Sequence, residues 1–214
     1  MKNLSLVAAL LCATFAFSQN NSLYNKISIE AAYGLNHPLS PSDNSGFDAG
    51  DFSEFKHVDI GGRYMINHIY GAKISYSYDR FQYKNTSALA ITFNRISLEA
   101  VFNLAQVFNF SFNRQRSFQI QAHTGAGITF AQPKSIDKSE KIGNFIIGIT
   151  PLFKVSDRIA ITTDFSYIVN IKQHYDYGGI IIDPNYNSVT GSFINFTIGL
   201  NYAIGDGRDH ADWF

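Results

Sequence analysis

The chain reads as an all-β protein, an eight-stranded antiparallel up-and-down transmembrane β-barrel. Three observations predict this. Apolar and polar residues alternate through eight segments, each about as long as a tilted strand must be to cross hydrocarbon. The polar side of these segments carries little charge for a surface that meets water. The connections between them are mostly long and short in turn, as in barrels with loops on one side of a membrane and tight turns on the other.

The first segment, Lys26 to Asn36, sets Ile27, Ile29, Ala31, Tyr33 and Leu35 against Ser28, Glu30, Ala32, Gly34 and Asn36. A period of two belongs to a strand with one apolar face. In the second, Lys56 to Ile66, Val58, Ile60, Gly62, Tyr64 and Ile66 oppose Asp59, Gly61 and Arg63. After a turn at Asn67-His68, Tyr70, Ala72, Ile74, Tyr76 and Tyr78 oppose Gly71, Lys73, Ser75, Ser77 and Asp79. The fourth, Arg95 to Leu104, carries Ile96, Leu98, Ala100, Phe102 and Leu104 against Arg95, Ser97, Glu99 and Asn103.

The fifth runs from Phe118 to Phe130, with Gln119, Gln121, His123, Gly125, Gly127 and Thr129 on its polar face. The sixth, Phe145 to Val155, has Gly148, Thr150 and Lys154 there, and the seventh, Ile159 to Asn170, has Thr162, Asp164, Ser166 and Asn170. The eighth, Ser192 to Ile204, sets Ile194, Phe196, Ile198, Leu200, Tyr202 and Ile204 against Asn195, Thr197, Gly199 and Asn201. No segment reads as a helix.

The links His37–Phe55, Lys84–Ala88, Gln132–Glu140 and Lys172–Gly191 are polar and hold Gly, Pro, Asp and Asn. Those at Asn67-His68 and Ser156-Asp157 are tight, and Ala105–Gln115 is longer. A soluble sandwich or ligand-binding barrel would turn its apolar face inward. Here the polar face is rich in Gly, Ser, Thr, Asn and Gln, which suits a narrow lumen. Tyr33, Tyr76, Tyr78, Phe130, Phe145, Phe153, Tyr167 and Tyr202 lie towards strand ends, where interfacial girdles form.

Residues 1–18 have the character of a secretory signal: Lys2, an apolar stretch from Leu4 to Phe17, and Ala16-Phe17-Ser18 before Gln19. Export to the outer membrane is expected, with the barrel over 19–204 and a short periplasmic tail at 205–214. The single cysteine, Cys12, falls inside the signal, and Leu11 before it does not suit lipidation. The exported part therefore has no thiol for a disulfide, a metal or a nucleophile. With 17 basic and 17 acidic residues there is no electrostatic reason to expect a nucleic-acid partner.

The polar face holds the candidate site. Centring the hairpin of the third and fourth strands on Thr86 sets Lys73 opposite Glu99 and Asp79 diagonal to Arg95. The turn at Asn67–Ile69 sets Arg63 beside Lys73. Arg63, Lys73, Glu99 and Glu30 are candidates for a buried ionic cluster, with Asp79 and Arg95 on the same face. Eight strands leave a lumen just wide enough for side chains, so a structural plug is expected. The sharper alternative is a gated ion path in which the pairs exchange partners.

His123 reads as a hydrogen-bonded filler. Asp206, Asp209, His210 and Asp212 crowd a Gly-containing tail that reads as solvated charge rather than a metal site. No catalytic residue, cofactor or metal is expected. An enzyme acting on lipid would need a nucleophile and base, and Ser166 or Ser192 with His174 is the best set available; no G-x-S-x-G turn organises them. Gly125-Ala126-Gly127 lies mid-strand and reads as close packing.

Pro151-Leu152-Phe153-Lys154-Val155-Ser156-Asp157-Arg158 resembles the turn between strands six and seven of outer membrane protein A-like barrels. So do Gly199-Leu200-Asn201-Tyr202-Ala203-Ile204 and the following His210-Ala211-Asp212-Trp213. Thr197-x-Gly199-x-x-Tyr202-x-Ile204 is similar to the carboxy-terminal signal read by barrel-assembly machinery. The resemblance covers about Lys26 to Phe214. It implies a monomeric, eight-stranded, porin-like barrel at the cell surface, in contact with outer-membrane lipid and lipopolysaccharide. The peptidoglycan-binding domain that many members carry has no counterpart here, so wall anchoring is not implied.

Overall fold

The structure, a computed structural model, describes residues 24–41, 48–84, 86, 88–108 and 117–213. The signal segment lies outside these, as do parts of the first long loop and of the link after the fourth strand. Eight strands form one closed antiparallel barrel in chain order: β1 (Ile27–Ser40), β2 (Glu54–Met65), β3 (Tyr70–Gln82), β4 (Ala90–Asn103), β5 (Phe118–Pro133), β6 (Glu140–Lys154), β7 (Ile159–Gln173) and β8 (Val189–Ile204). The seam is β1 against β8, in register from Ile27↔Ile204 to Pro38↔Phe193, with a one-residue shift before Ser40↔Ser192. Closure leaves no free strand edge.

The apolar face points outward along every strand. Leu98 is 64% exposed, Ile74 60% and Ile198 59%, whereas Arg63 and Asp79 on the other face are 2% and 0% exposed. This is the architecture of a transmembrane barrel. Tyr33, Tyr76, Phe130, Phe145, Phe153, Tyr167 and Tyr202 are all on the exposed outer face.

On the long-loop side several strands continue past the alternating segments. β3 reaches Gln82, β4 begins at Ala90 rather than Arg95, β5 reaches Pro133 and β6 begins at Glu140 rather than Phe145. Backbone pairing carries on there, through Arg80↔Thr92 and Thr92↔Gln132, after the outer face has become polar. The hydrophobic pattern marks the height of the apolar belt, not the length of the strand.

Inside, at that height, polarity inverts as well. Phe81, Phe93 and Phe193 are fully buried on the lumen side, joined by Ile91, Ile142 and Ile168. Tyr177, from the loop after β7, sits among them with its ring 4.7 Å from Phe81, which in turn lies 5.2 Å from Phe93 and from Phe193. The edge-on contacts suit the ring quadrupoles. The Tyr177 hydroxyl is 3.0 Å from the Ser40 carbonyl and 2.8 Å from that of Ser192. The loop end of the lumen is thus closed by an apolar stopper.

Two expectations need correction. A short helix, Leu104–Val107, follows β4, so Leu104 ends no strand; 3-10 turns form at Ala49–Phe52 and Ala211–Trp213. More importantly, the tail is solvated only in part: Asp206 is exposed and Asp209 half-buried, whereas His210, Ala211, Asp212 and Trp213 are buried. Past β8 it folds back beside Asn25, whose amide donates to the Asp209 carbonyl at 2.8 Å and whose carbonyl accepts from the Ala211 amide at 2.9 Å. Ala211 packs on Met65 and Val101, and Trp213 on Leu152 and Ala160, all buried. Those four wall positions are apolar residues on the lumen face, so the short-turn mouth offers the tail an apolar seat.

Candidate functional site: the charged lumen

Between the two closures the lumen is lined by polar side chains, with three ion-pair groups stacked along it. Nearest the short-turn mouth, Arg63 of β2 lies 3.1 Å from Glu30 of β1 and 2.6 Å from Asp212 of the tail. Its Nε donates to Ser28 and its Nη1 to Gln121. Asp212 also accepts from Gln121 at 2.8 Å and faces His210 at 2.9 Å. Burial pushes the Asp212 carboxyl up, but Arg63 and His210 outweigh it and hold it well below the usual carboxylate range.

At mid-height Lys73 contacts Glu30 at 3.1 Å and Asp59 at 3.0 Å. Across the lumen His123 bridges two carboxylates, Glu99 at 2.6 Å and Asp164 at 2.9 Å. Ser97 donates to Glu99, Ser77 to Asp59, and Thr150 and Ser166 to Asp164. Towards the stopper, Asp79 lies 2.7 Å from His57 and 3.3 Å from Arg95, and the Arg95 guanidinium sits 5.5 Å from the Phe193 ring centre.

All six residues singled out from the sequence line this lumen, but they do not form one cluster. Glu30, Arg63 and Lys73 are in mutual contact through Glu30; Asp79 and Arg95 pair higher up; Glu99 joins His123 instead of Lys73. Sequence reasoning missed the roles of Asp59, Asp164 and His57, although all three are charged or titratable residues on the polar face. It also treated His123 as filler, and the tail Asp212 as free. Among the described residues the lumen gathers six carboxylates (Glu30, Asp59, Asp79, Glu99, Asp164, Asp212) around three permanent cations (Arg63, Lys73, Arg95) and three histidines (His57, His123, His210).

Space in the lumen is set by glycines. A Cβ on Gly125 would lie 2.7 Å from Glu99 Cγ and 2.2 Å from the Leu98 carbonyl oxygen, and one on Gly148 would lie 2.3 Å from His123 Nε2. The mid-strand Gly125 is therefore a close-packing position. The cavity left among the charged groups measures about 40 Å³, room for a few water molecules at most.

Two of the three residues considered for lipid chemistry, Ser166 and His174, are engaged elsewhere. Ser166 donates to Asp164 inside the lumen, while His174, beyond β7, contacts Glu140 and stacks on Tyr186 at 4.3 Å. Among the described residues no three His, Asp or Glu side chains converge as metal ligands.

No family model and no curated protein matches the chain in sequence. In fold it is similar to a major outer membrane protein from Thermus thermophilus, at 10% identity and a TM-score of 0.54 over 84% of this chain and 98% of that one. It is also similar to the outer membrane protein OprG from Pseudomonas aeruginosa, at 10% identity and a TM-score of 0.51 over 86% and 97%. The Neisserial surface protein A overlaps 83% of this chain and 96% of its own at 12% identity, with a TM-score of 0.49. The first two likenesses establish a shared fold, the small closed barrel.

Proposed function

We propose that the chain is an integral outer-membrane β-barrel with a structural, surface-exposed role and a narrow, plugged lumen that gives at most minor porin activity. The carrying observation is the double inversion: a belt of large apolar side chains faces outward while paired charges fill the inside. Contiguous apolar surface on a soluble monomer is usually limited to a few hundred Å², and a belt encircling eight strands exceeds that. The fold shared with two proteins described as outer-membrane proteins is in keeping with this reading. So is the signal-like start of the chain.

The test combines membrane fractionation with nitroxide labels at Ile74, Leu98, Ile198, Ser75 and Thr197. The first three are expected to meet lipid-dissolved oxygen, and the last two to be shielded from both oxygen and aqueous reagents. A faster-migrating unboiled band on a gel accompanies a folded barrel. Release by osmotic shock without detergent, or labels at Ile74 and Leu98 shielded from lipid, would return the chain to the soluble ligand-binding alternative.

A further inference from the structure

We infer that the short-turn mouth of the barrel is a peptide-binding site, which the chain fills with its own tail and which a separate peptide of the same chemistry can occupy instead. The receptor side belongs to strands far from the tail in sequence. Arg63 of β2 and Gln121 of β5 donate to the two carboxylate oxygens of Asp212 at 2.6 and 2.8 Å, and the Asn103 side-chain amide of β4 donates to its carbonyl at 3.3 Å. Three strands thus aim donors at one acidic residue that none of them carries.

The neighbours of Asp212 are read as closely. Ala211 is fully buried on Met65 and Val101, where a larger side chain would overpack. Trp213 lies on Leu152 and Ala160, with the Lys154 ammonium 5.9 Å from its ring centre, and Lys154 also pairs with Asp209. Further hold comes from Asn25, ahead of β1. Its side chain donates to the Gly207 carbonyl at 2.7 Å and accepts from the Gly207 amide at 2.8 Å, and its backbone bridges His210 in parallel as a neighbouring strand would. Backbone pairing for hold and side-chain pockets for choice is how an extended peptide is recognised. The ligand chemistry follows: a segment with a small residue, a carboxylate and an aromatic in succession.

Two features make this occupant replaceable. It is joined to the barrel through a Gly-containing link after Ile204, where Asp206 and Arg208 are exposed. The seat also stands without it, because Arg63 keeps Glu30 at 3.1 Å and the four apolar wall residues belong to the strands. The source of a competing peptide rests on the membrane reading above, which sets the short turns in the periplasm and so makes the partner an exported protein. The site itself does not depend on that reading.

Peptide binding to the refolded full chain tests it. In the variant Asp212→Ala with Trp213→Ala the seat is intact and both anchors of the occupant are gone. The only tryptophan of the chain goes with them, so emission reports the added peptide. A synthetic peptide of residues 205–214 is expected to bind this variant with its emission shifted to the blue. Wild type is expected to bind it at least about tenfold more weakly, since the tethered tail competes at an effective concentration of roughly millimolar size. Asp212→Asn in the peptide should weaken binding about tenfold, the scale of a lost charge-assisted contact. Equal binding by wild type, or by a scrambled peptide of the same composition, means adherence to the surface and overturns the site. No blue shift with a variant that still shows the band shift on boiling overturns it too. If the variant loses that shift, displacement is read in wild type: excess peptide carrying Trp213→Phe should move the emission of the chain's own Trp213 to the red, and an unmoved emission is equally fatal. Membrane fractionation of the same chain is scored separately, and a barrel that binds the peptide yet leaves with the soluble fraction sinks the membrane reading alone.

Discussion

Lys73 and Glu99 face each other in register across β3 and β4, yet they do not form an ion pair. Each leans away over a glycine. The stem of Lys73 crosses Gly61, where an added Cβ would sit 3.1 Å from its Cε, and reaches Glu30, the register partner of Gly61. Glu99 leans over Gly125, its own partner on β5, towards His123. Glycines on the neighbouring strands, rather than proximity along the sheet, decide which charges meet.

Gly125→Ala should therefore destabilise the barrel by about 1–3 kcal/mol, the usual range for overpacking. Its Cβ would meet the Leu98 carbonyl oxygen at 2.2 Å, and backbone yields less readily than a side chain. Gly62→Ala, on the open outer face with nothing within 4 Å, should change stability by no more than about 0.5 kcal/mol. Urea unfolding of both variants in lipid vesicles measures the contrast, and equal midpoints would show that the lumen has slack.

Removing one partner of the Arg63–Asp212 pair should be costly. Arg63→Met leaves Glu30 and Asp212 without their guanidinium, and about 3–5 kcal/mol is typical for breaking a buried pair. Loss of the tail's hold is expected alongside, read as faster proteolysis after Ile204. A variant that unfolds at the wild-type midpoint with its tail still protected would contradict the seat described here.

The same pair sets a pH window. Because the folded-state Asp212 carboxyl titrates below its ordinary value of 3.8, its contribution is complete above that value and disappears as pH falls through the lower, folded one. Wild type and Asp212→Asn should then differ by a constant amount in unfolding free energy at neutral pH and converge below about pH 4. Divergence on acidification would reverse the sign and exclude a stabilised carboxylate.

Tyr177→Phe keeps the ring stack but leaves the Ser40 and Ser192 carbonyls without their donor. A cost of about 1–3 kcal/mol follows if water does not replace it. Limited proteolysis within 174–188 should quicken several-fold while the β3–β4 loop is cut at its original rate. Equal rates at both loops would mean that Tyr177 anchors nothing.

In planar bilayers the purified chain should give no stable conductance of nanosiemens size, because side chains occupy the lumen from Phe193 to Trp213. Long-lived openings of that size would require the paired charges to separate and would favour the gated ion path.

The outer surface of this barrel was legible because lipid imposes one rule on every outward position, so Ile74, Leu98 and Ile198 announce themselves by period alone. The heights of Lys73, Glu99, Asp79 and Arg95 followed from hairpin arithmetic. Partner choice did not, since long side chains in a closed cylinder reach across as readily as along, and Gly61 and Gly125 act only once the cylinder is closed. Asp212 lies outside any alternating segment, and its neighbours Ala211 and Trp213 are seated on Met65, Val101, Leu152 and Ala160 from four different strands. Phe81, Phe93 and Phe193 did carry a signal: bulky apolar residues falling on the polar parity near the loop end mark where the inside turns dry.

That dry stopper sorts the long connections into two kinds. The span from Lys84 to Ala88 has its described residues exposed at the tip, whereas 174–188 is rooted through Tyr177 in the stopper at the loop end of the lumen. An engineer grafting a foreign peptide for surface display, or a lineage drifting under antibody pressure, has freedom in the first and little in the second, where each change tugs on the cork of the vessel.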